Sequence, residues 1–239
     1  MLRNSRFERG TPGLAWCPTP RALAALEARG VVARVAPPLE VLRLANDRAL
    51  EARLSETLPH SRFVRTEAEL EAALAPRAGV ERWLLKRGHA HRGRGRRACT
   101  TLDEATRAFA RRSFELGGVM VQPWVERLAD FALHGYVDTR GVVLGRATVQ
   151  SVNAGGAWLG SERASDAALA RAERAELERA ACEAGELLHR IGYSGPFGVD
   201  AFRYRLGGAE GFCARCELNA RYSMGWAVGM GETRPDLGC

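Results

Sequence analysis

Two strand-like segments near the C-terminus constrain the fold of this chain most. They read FGVDAFRYRL (197–206) and GFCARCELNAR (211–221), and the four residues GGAE join them. So short a connection predicts an antiparallel hairpin. A turn centred on Gly208-Ala209 places Asp200 opposite Glu217, and Asn219 follows on the same face of the hairpin.

This pairing predicts a metal site. Two carboxylates on directly opposed strands repel each other, which costs stability unless a cation compensates. Mg²⁺ prefers oxygen ligands, so Asp200 and Glu217 would be its carboxylate ligands and Asn219 its amide ligand. The alternative interpretation is a polar face in contact with water.

A second candidate site begins at Lys86, the only lysine among the 35 lysine and arginine residues. It ends a predicted strand, ERWLLKRG, and precedes a glycine-rich basic loop over 88–97 that contains Gly93 and Gly95. Glycines let backbone N–H groups approach an anion, and a lysine ammonium is a compact charge suited to phosphate oxygens. The segment predicts phosphate binding; chance placement at the surface and RNA binding by the RGRGRR stretch are the alternatives.

A third segment, VQPWVERLAD (121–130), runs from a strand into a Pro-aromatic stretch. Extended backbone of this kind can hydrogen-bond a purine edge, and Asp130 or Glu126 could accept hydrogen bonds from ribose hydroxyls. An edge strand followed by its turn is the simpler interpretation of this segment by itself.

The remaining pattern predicts an α+β fold. Helices are expected over 20–30 and 38–59, and capping boxes at Thr66 and Thr101 open two more. Residues 61–118 therefore read β-α-β-loop-β-α. The second half predicts strands over 119–125, 130–138 and 142–153, a glycine-rich loop over 153–161, and a long helix from Ser165 to about Arg190.

Composition limits the class of protein. The 239 residues are 46% apolar, which is enough for a substantial core, and the net charge of +7 permits an anionic partner. No apolar run approaches the ~20 residues of a membrane span, and no secretory signal opens the chain, so we expect a cytoplasmic protein without a membrane partner. Six scattered cysteines are expected to be free thiols; the CxxC of Cys213 and Cys216 would point to opposite faces of a strand and could not chelate one ion.

In order along the chain, WLLKRGHAHRGRGRR, VMVQPWVERLADFALHGYVD, GPFGVDAF and CELNAR resemble the motifs of the ATP-grasp superfamily. The resemblance covers about residues 40–225, and CELNAR with FGVDAF upstream is its most specific part. It implies an α+β fold in which two subdomains sandwich ATP. It also implies a ligase that activates a carboxylate as acyl-phosphate, which an amine or thiol then attacks.

The resemblance assigns roles to individual residues. Lys86 would bind phosphate oxygens, with Gly93 and Gly95 in a flexible lid, and Arg221 would steady the γ-phosphate or the acyl-phosphate. Asp200, Glu217 and Asn219 would hold Mg²⁺. The adenine hinge and ribose contact would come from Gln122, Trp124, Val125 and Asp130.

The chain departs from the family pattern in places. Arg48 stands where a second phosphate-binding lysine is usual, and the N-terminal domain that helps hold the second substrate is largely missing. We therefore expect an N-terminal stub over 1–45, one ATP-grasp subdomain over 46–118 and another over 119–239. Arg146 and Gln150, two steps apart on one strand face, are expected to point toward the γ-phosphate or the acceptor, and Trp158 could close a loop over that acceptor.

These features favour an ATP- and Mg²⁺-dependent ligase acting on small-molecule or peptide carboxylates and amines. A second copy or a partner chain could complete the site. The alternative is a non-catalytic nucleotide-binding domain that acts with a partner protein. RNA binding is the third hypothesis, and the lack of an aromatic stacking platform beside the basic loop counts against it.

Overall fold

The computed structural model describes residues 7–34, 36–55, 58–89, 95–154 and 157–237. Gly93, one of the residues predicted to bind phosphate, lies outside these ranges. Within them the chain forms one small N-terminal sheet, a four-stranded sheet and a six-stranded sheet. The helices pack against sheets that are largely antiparallel, which confirms the predicted α+β class.

The N-terminal part places a short parallel pair of strands next to three helices. Their bounds are β1 Thr11–Gly13, α1 Pro20–Glu27, β2 Val31–Ala33, α2 Leu39–Ala45 and α3 Arg48–Glu51. The single helix predicted over 38–59 is wrong, because the chain breaks at Asn46 and Asp47. The Asn46 side chain donates to the Leu42 carbonyl, and the Asp47 carboxylate accepts from the Ala49 N–H, which starts a new helix.

The four-stranded sheet, called the small sheet below, carries two helices on one face. Its strands lie in the order β3 Arg62–Val64, β6 Val119–Pro123, β4 Trp83–Arg87 and β5 Arg96–Cys99. The helices are α4 Glu67–Ala73 and α5 Glu104–Phe114. The capping box at Thr66 is confirmed, whereas the one predicted at Thr101 is wrong: Asp103 caps α5 by accepting from the Thr106 N–H.

The six-stranded sheet, called the large sheet, contains the predicted hairpin. Its main order is β10 Trp158–Arg163, β9 Thr148–Val152, β7 Glu126–Asp138, β11 Gly195–Leu206 and β12 Ala209–Asn219, and β8 Gly141–Leu144 pairs with one end of β7. Helix α6 Arg171–Arg190 covers one face, where Phe131, Phe197 and Val199 are fully buried. Helix α7 Trp226–Met230 packs on β7 and β10.

Three predictions for the large sheet are corrected. The strand expected over 142–153 is two strands, β8 and β9, separated at 145–147. Part of the loop expected over 153–161 is β10, which pairs with β9. Helix α6 begins at Arg171 rather than near Ser165, because residues 165–170 form turns in which Ser165 accepts from the Ala168 N–H.

The predicted subdomain boundaries remain predictions. Strand β6, which follows the expected boundary at 118, pairs with β3 and β4 of the small sheet, and the large sheet begins with β7. No helix in the described part of the chain is long and apolar enough to cross a membrane.

Candidate functional site

The hairpin of β11 and β12 brings Asp200 directly opposite Glu217, as predicted. The turn, however, is Gly207-Gly208, so that Leu206 pairs with Ala209, one position earlier than expected. Between Asp200 and Phe202 the register shifts, and β12 contributes two more residues than β11. An even shift preserves the alternation of faces, so both carboxylates keep the same side of the sheet.

The same irregularity corrects the prediction for the two cysteines of the CxxC. Cys213 and Cys216 are both buried in one apolar cluster with Phe202, rather than on opposite faces. Burial raises the pKa of the Cys216 thiol well above its ordinary value, which keeps it protonated. No cluster of three or more metal-binding His, Cys, Asp or Glu side chains occurs among the described residues.

Asp200 is held by two amide side chains. Gln150 Nε2 donates to its Oδ1 at 3.3 Å, and Asn219 Nδ2 donates to its Oδ2 at 3.0 Å. Burial, followed by the negative charge of Glu217, raises the pKa of Asp200 to about 6. An ionised Asp200 is therefore disfavoured in the ligand-free site, and a cation between the two carboxylates would relieve the cost.

Glu217 forms a salt bridge with Arg48 of α3, across from the hairpin. Arg48 is 9% exposed, and its Nη1 also donates to the Arg87 carbonyl at 2.9 Å. Sequence reasoning gave these two residues separate roles, one on phosphate and one on metal. In this arrangement each neutralises the other.

Lys86 lies on the face of the small sheet opposite α4 and α5. Leu85, its neighbour, is fully buried beneath the helices, so Lys86 projects from the other face beside its strand partner Met120. The positive charge of Lys86 lowers the pKa values of both Glu51 and Cys216, although burial leaves both raised overall. Lys86 therefore faces the space between the small sheet and β12.

The described ends of the predicted phosphate loop are fixed by backbone contacts. The Arg87 N–H donates to the Gly95 carbonyl at 3.0 Å, which closes the connection between β4 and β5. Gly95 has φ of +69°, a left-handed conformation that favours glycine. At the other end, the Arg48 N–H donates to the Gly88 carbonyl at 3.2 Å and joins the loop to α3.

The predicted adenine hinge connects the two sheets. Gln122 is buried on β6 and lines a cavity of about 620 Å³ between residues 49–55, Leu58 and the small sheet. The Trp124 N–H donates to the Arg82 carbonyl at 2.8 Å, and its ring is 46% exposed with the Arg82 guanidinium 4.5 Å from the ring centre. Val125 packs on the apolar cluster that contains Phe202.

Asp130 lies on β7, paired with Phe202 and Gln150, and forms a salt bridge with Arg127. It is thus on the same sheet face as Asp200. The Arg127 guanidinium lies 4.4 Å from the centre of the Phe202 ring. Arg127 was not predicted from the sequence; its nearness to Asp130 depends on an irregularity of β7 near Leu128 that no sequence pattern indicates.

The two remaining predicted residues differ in placement. Arg221 extends from the end of β12, donating to Asn219 Oδ1 and to the Tyr222 carbonyl at 3.2 Å. Arg146 precedes β9 and is exposed, so the expectation that it shares a strand with Gln150 is wrong; its N–H donates to the Gly229 carbonyl at 2.9 Å. Of the pair, Gln150 is the one that contacts Asp200.

Sequence reasoning missed Glu51 and Arg215. Glu51 is 8% exposed in α3, and its pKa is raised by burial and then by the charge of Glu217. Arg215 lies 3.9 Å from Glu51 and 3.6 Å from Glu183, and its Nη2 donates to the Ser55 carbonyl. The one sequence signal available for Glu51 is a charged residue beside apolar residues of a helix. This signal can be used only if the start of α3 is already known.

The chemistry of the hairpin fits Mg²⁺. Asp200, Glu217 and Asn219 supply oxygen atoms from neighbouring positions on two strands. The raised pKa of Asp200 reflects first its burial and then the negative charge of Glu217, and a bound divalent cation offsets both costs of the ionised form. The residues present are therefore suited to hold the metal, provided that Glu217 exchanges its contact with Arg48, and Asn219 Oδ1 its contact with Arg221, for the ion.

A positively charged cavity of about 440 Å³ adjoins the hairpin end. Glu217 and Asn219 form one side of it, and Cys17, from the N-terminal part, forms another. Its positively charged lining residues are Arg43, Arg48 and Arg221, and His89 lines it as well. An excess of positive side chains beside the predicted metal ligands suits a carboxylate or a phosphate.

Comparison with models of protein families and with curated protein sequences gives no match. Solved structures do match. A pyruvate carboxylase from Rhizobium etli aligns with a TM-score of 0.62 and 19% identity, over 90% of this chain and 19% of that one. A biotin carboxylase from Campylobacter jejuni, in complex with β,γ-ATP, aligns with a TM-score of 0.60 and 16% identity, over 88% of this chain and 48% of that one.

D-alanyl-alanine synthetase A from Vibrio cholerae aligns with a TM-score of 0.59 and 13% identity, over 93% of this chain and 71% of that one. This chain therefore spans about a fifth and about half of the first two proteins. All three are ATP-grasp proteins. The similarity confirms the predicted architecture: the chain has the ATP-grasp fold.

Proposed function

We propose that this chain is an ATP- and Mg²⁺-dependent ligase, which activates a carboxylate as an acyl-phosphate for attack by an amine or a thiol. One observation carries the proposal: Asp200 and Glu217 oppose each other on β11 and β12, across from the cations Lys86 and Arg48. Phosphoryl transfer requires positioning and charge neutralisation more than covalent chemistry by the protein. This arrangement offers both.

Each residue has a role in the proposed reaction. Lys86 and Arg48 bind phosphate oxygens, with Gly93 and Gly95 in the covering loop. Gln122, Trp124 and Val125 line the adenine, and Asp130 accepts from the ribose. Asp200, Glu217 and Asn219 hold Mg²⁺, which when bound neutralises charge on the transferred phosphoryl group.

Arg221 steadies the γ-phosphate or the acyl-phosphate. A carboxylate oxygen bonds to the γ-phosphorus while the bond from that phosphorus to the β,γ-bridging oxygen breaks, which releases ADP. An amine or thiol then attacks the acyl carbon and displaces inorganic phosphate. Arg146, exposed before β9, has the weakest structural support among these assignments, because no contact links it to the hairpin carboxylates in the described residues.

The substrates in this proposal are small-molecule or peptide carboxylates and amines. The ATP-grasp neighbours support this class because a biotin carboxylase and D-alanyl-alanine synthetase are among them. In this proposal a second copy of the chain or a partner chain would complete the acceptor site.

The second candidate is a nucleotide-binding domain that forms no bond. The salt bridge between Arg48 and Glu217 favours it, because it occupies a predicted phosphate ligand and a predicted metal ligand at once. A domain that keeps this contact with nucleotide bound would hold ATP without assembling the metal site.

Hydroxylamine trapping separates the two functions. The protein is incubated with Mg·ATP, hydroxylamine and a panel of carboxylic acids, and hydroxamate and ADP are both quantified. A ligase forms the two products in equal amounts with at least one acid, and Glu217→Gln forms neither. If the protein binds nucleotide but forms no hydroxamate from any acid, this result would contradict the ligase proposal and support the nucleotide-binding domain.

A further inference from the structure

An aromatic cleft lies next to the positively charged cavity. Its volume is about 710 Å³. The large side chains that line it are Trp16, Trp158, Tyr222, Met224, Trp226 and Val228. Several of these are unusually exposed for their size: Trp16 is 51%, Met224 47% and Trp158 40% exposed. The cleft is thus a concave apolar surface in contact with water.

Three parts of the chain build the cleft and fix its aromatic rings. Tyr222 packs edge-on against Trp226 with ring centres 4.9 Å apart, and Trp16 lies 6.4 Å from Tyr222. Trp158, on β10, is oriented by a 2.9 Å hydrogen bond from its Nε1 to Ser161 Oγ. The Tyr222 hydroxyl donates to Asp236 at 3.0 Å. The rings are therefore held in place before any ligand arrives.

The cleft and the cationic cavity share a wall. Cys17 and Arg221 line the cavity, whereas the adjoining residues Trp16 and Tyr222 line the cleft. The Tyr222 N–H donates to the Trp16 carbonyl at 3.0 Å and joins the two segments of this wall. One molecule could therefore place a charged group beside Arg221 and an apolar body beside Tyr222.

The difference in charge between the cavity and the cleft indicates which kind of molecule would fit both. The cavity contributes Arg43, Arg48 and Arg221 against Glu217. In the cleft the only charged side chains of the described lining are Arg234 and Asp236, which neutralise each other in a 2.8 Å salt bridge. An anionic group is favoured on one side of the wall and an uncharged aromatic or large apolar group on the other.

We infer that the cleft is a specificity pocket for the carboxylate substrate and binds an aromatic or similarly sized apolar group attached to the reacting carboxylate. This inference rests on the proposed function for the identity of the reacting group. It adds that short carboxylates are poor ligands, because they leave the aromatic cleft in contact with water.

Calorimetric titration with 3-phenylpropionate and with propionate tests the inference. Both carry the same carboxylate, and only the first carries a ring. We expect 3-phenylpropionate to bind at least tenfold more tightly, and Trp158→Ala to reduce that preference to threefold or less. Leu159→Ala is the matched control, because Leu159 lies on the same strand, is 64% exposed and does not line the cleft.

A second variant guards against misfolding. Trp16→Ala removes a ring from the opposite wall of the cleft, and both tryptophan variants should unfold at temperatures close to that of the native chain. Equal affinity for the two acids, or equal loss of the preference in Leu159→Ala, would overturn the inference. A concentration-dependent dimer that Trp158→Ala dissociates would also overturn it, because a second copy would then occupy the cleft.

Failure of the inference and failure of the proposed function give different results. The two titrations are repeated without nucleotide and with Mg·ATP, and thermal stabilisation by Mg·ATP alone is recorded in parallel. Stabilisation by Mg·ATP without any preference for the aromatic acid rejects the cleft and leaves the ligase proposal standing. Preference for the aromatic acid without stabilisation by Mg·ATP rejects the ligase and retains a carboxylate-binding cleft.

Discussion

The two sheets present opposite charge to the space between them. On the small sheet, β4 and β5 pair Lys86 with Arg96, on the face opposite α4 and α5. On the large sheet, Asp130, Asp200 and Glu217 lie on the face opposite α6. Like charges lie close together on each face, which costs stability unless an opposite charge compensates. The positive residues of the small sheet suit the negative charge of a ligand, and the acidic residues of the large sheet suit a metal ion. Mg·ATP has both.

A substitution on the acidic face of the large sheet should have the largest effect on ligand binding. Glu217→Gln removes a charged metal ligand, so we expect Mg²⁺-dependent binding of ATP to fall by about 100-fold or more. Binding is measured by titration calorimetry with and without Mg²⁺. Glu210→Gln is the control, because Glu210 lies on the same strand and forms an exposed salt bridge with Arg205. Comparable loss in both variants would remove the hairpin from the metal site.

Removal of the salt bridge between Arg48 and Glu217 should have the largest effect on stability. Arg48→Met removes the salt bridge to Glu217 and the hydrogen bond to the Arg87 carbonyl at a 9% exposed position. We expect the free energy of unfolding to fall by about 2–3 kcal/mol, measured by urea denaturation. Arg205→Met, which removes an exposed arginine with two partners, should lower the free energy of unfolding by a clearly smaller amount. Equal costs would mean that the buried salt bridge does not stabilise the fold.

The raised pKa of Asp200, on the acidic face of the large sheet, should produce a smaller, pH-dependent effect on stability. The pKa of Asp200 is raised to about 6 in the folded chain from an ordinary value of 3.8, so the folded chain binds the extra proton between these values. The stability that Asp200 contributes therefore falls as pH rises through this window. Asp200→Asn, which carries no charge, should be more stable than the native chain by about 1–2 kcal/mol at pH 7.5.

Thermal unfolding between pH 4 and pH 8 checks this prediction. The advantage of Asp200→Asn should shrink below pH 6 and become small near pH 4, where the folded carboxyl is protonated and the unfolded carboxyl is about half protonated. An advantage that stays constant across the range would show that Asp200 is not strained by its neighbour.

The fold was predictable where short-range patterns decide it. The hairpin of β11 and β12 follows from alternation and a four-residue connection, and the facing of Asp200 and Glu217 survived a misplaced turn because the irregularity in β12 is even. The start of α4 followed from the capping box at Thr66. In these places the signal lies within a few residues.

Prediction failed where distant contacts decide the structure. The break between α2 and α3 depends on Asn46, whose side chain bonds to Ala220 at the far end of the hairpin. The strand β10 exists because it pairs with β9, although its sequence reads as a glycine-rich loop. The burial of Glu51 and Arg215 likewise requires α3 and β12 to be in place. These contacts join residues far apart in the sequence, and local signals such as the N-cap Asp47 do not indicate the distant partners.

The most direct test of the account is the melting temperature with and without Mg·ATP, measured on the native chain and on Lys86→Met together. Ligand at about 100 times Kd should stabilise the native chain by about 2.7 kcal/mol. We predict a clear increase in the native chain that largely disappears in Lys86→Met and is partly kept in Lys86→Arg. The ligand-free variants should melt close to the native chain. An increase of equal size in native chain and Lys86→Met, or none in either, would contradict the assignment of this lysine to a nucleotide phosphate.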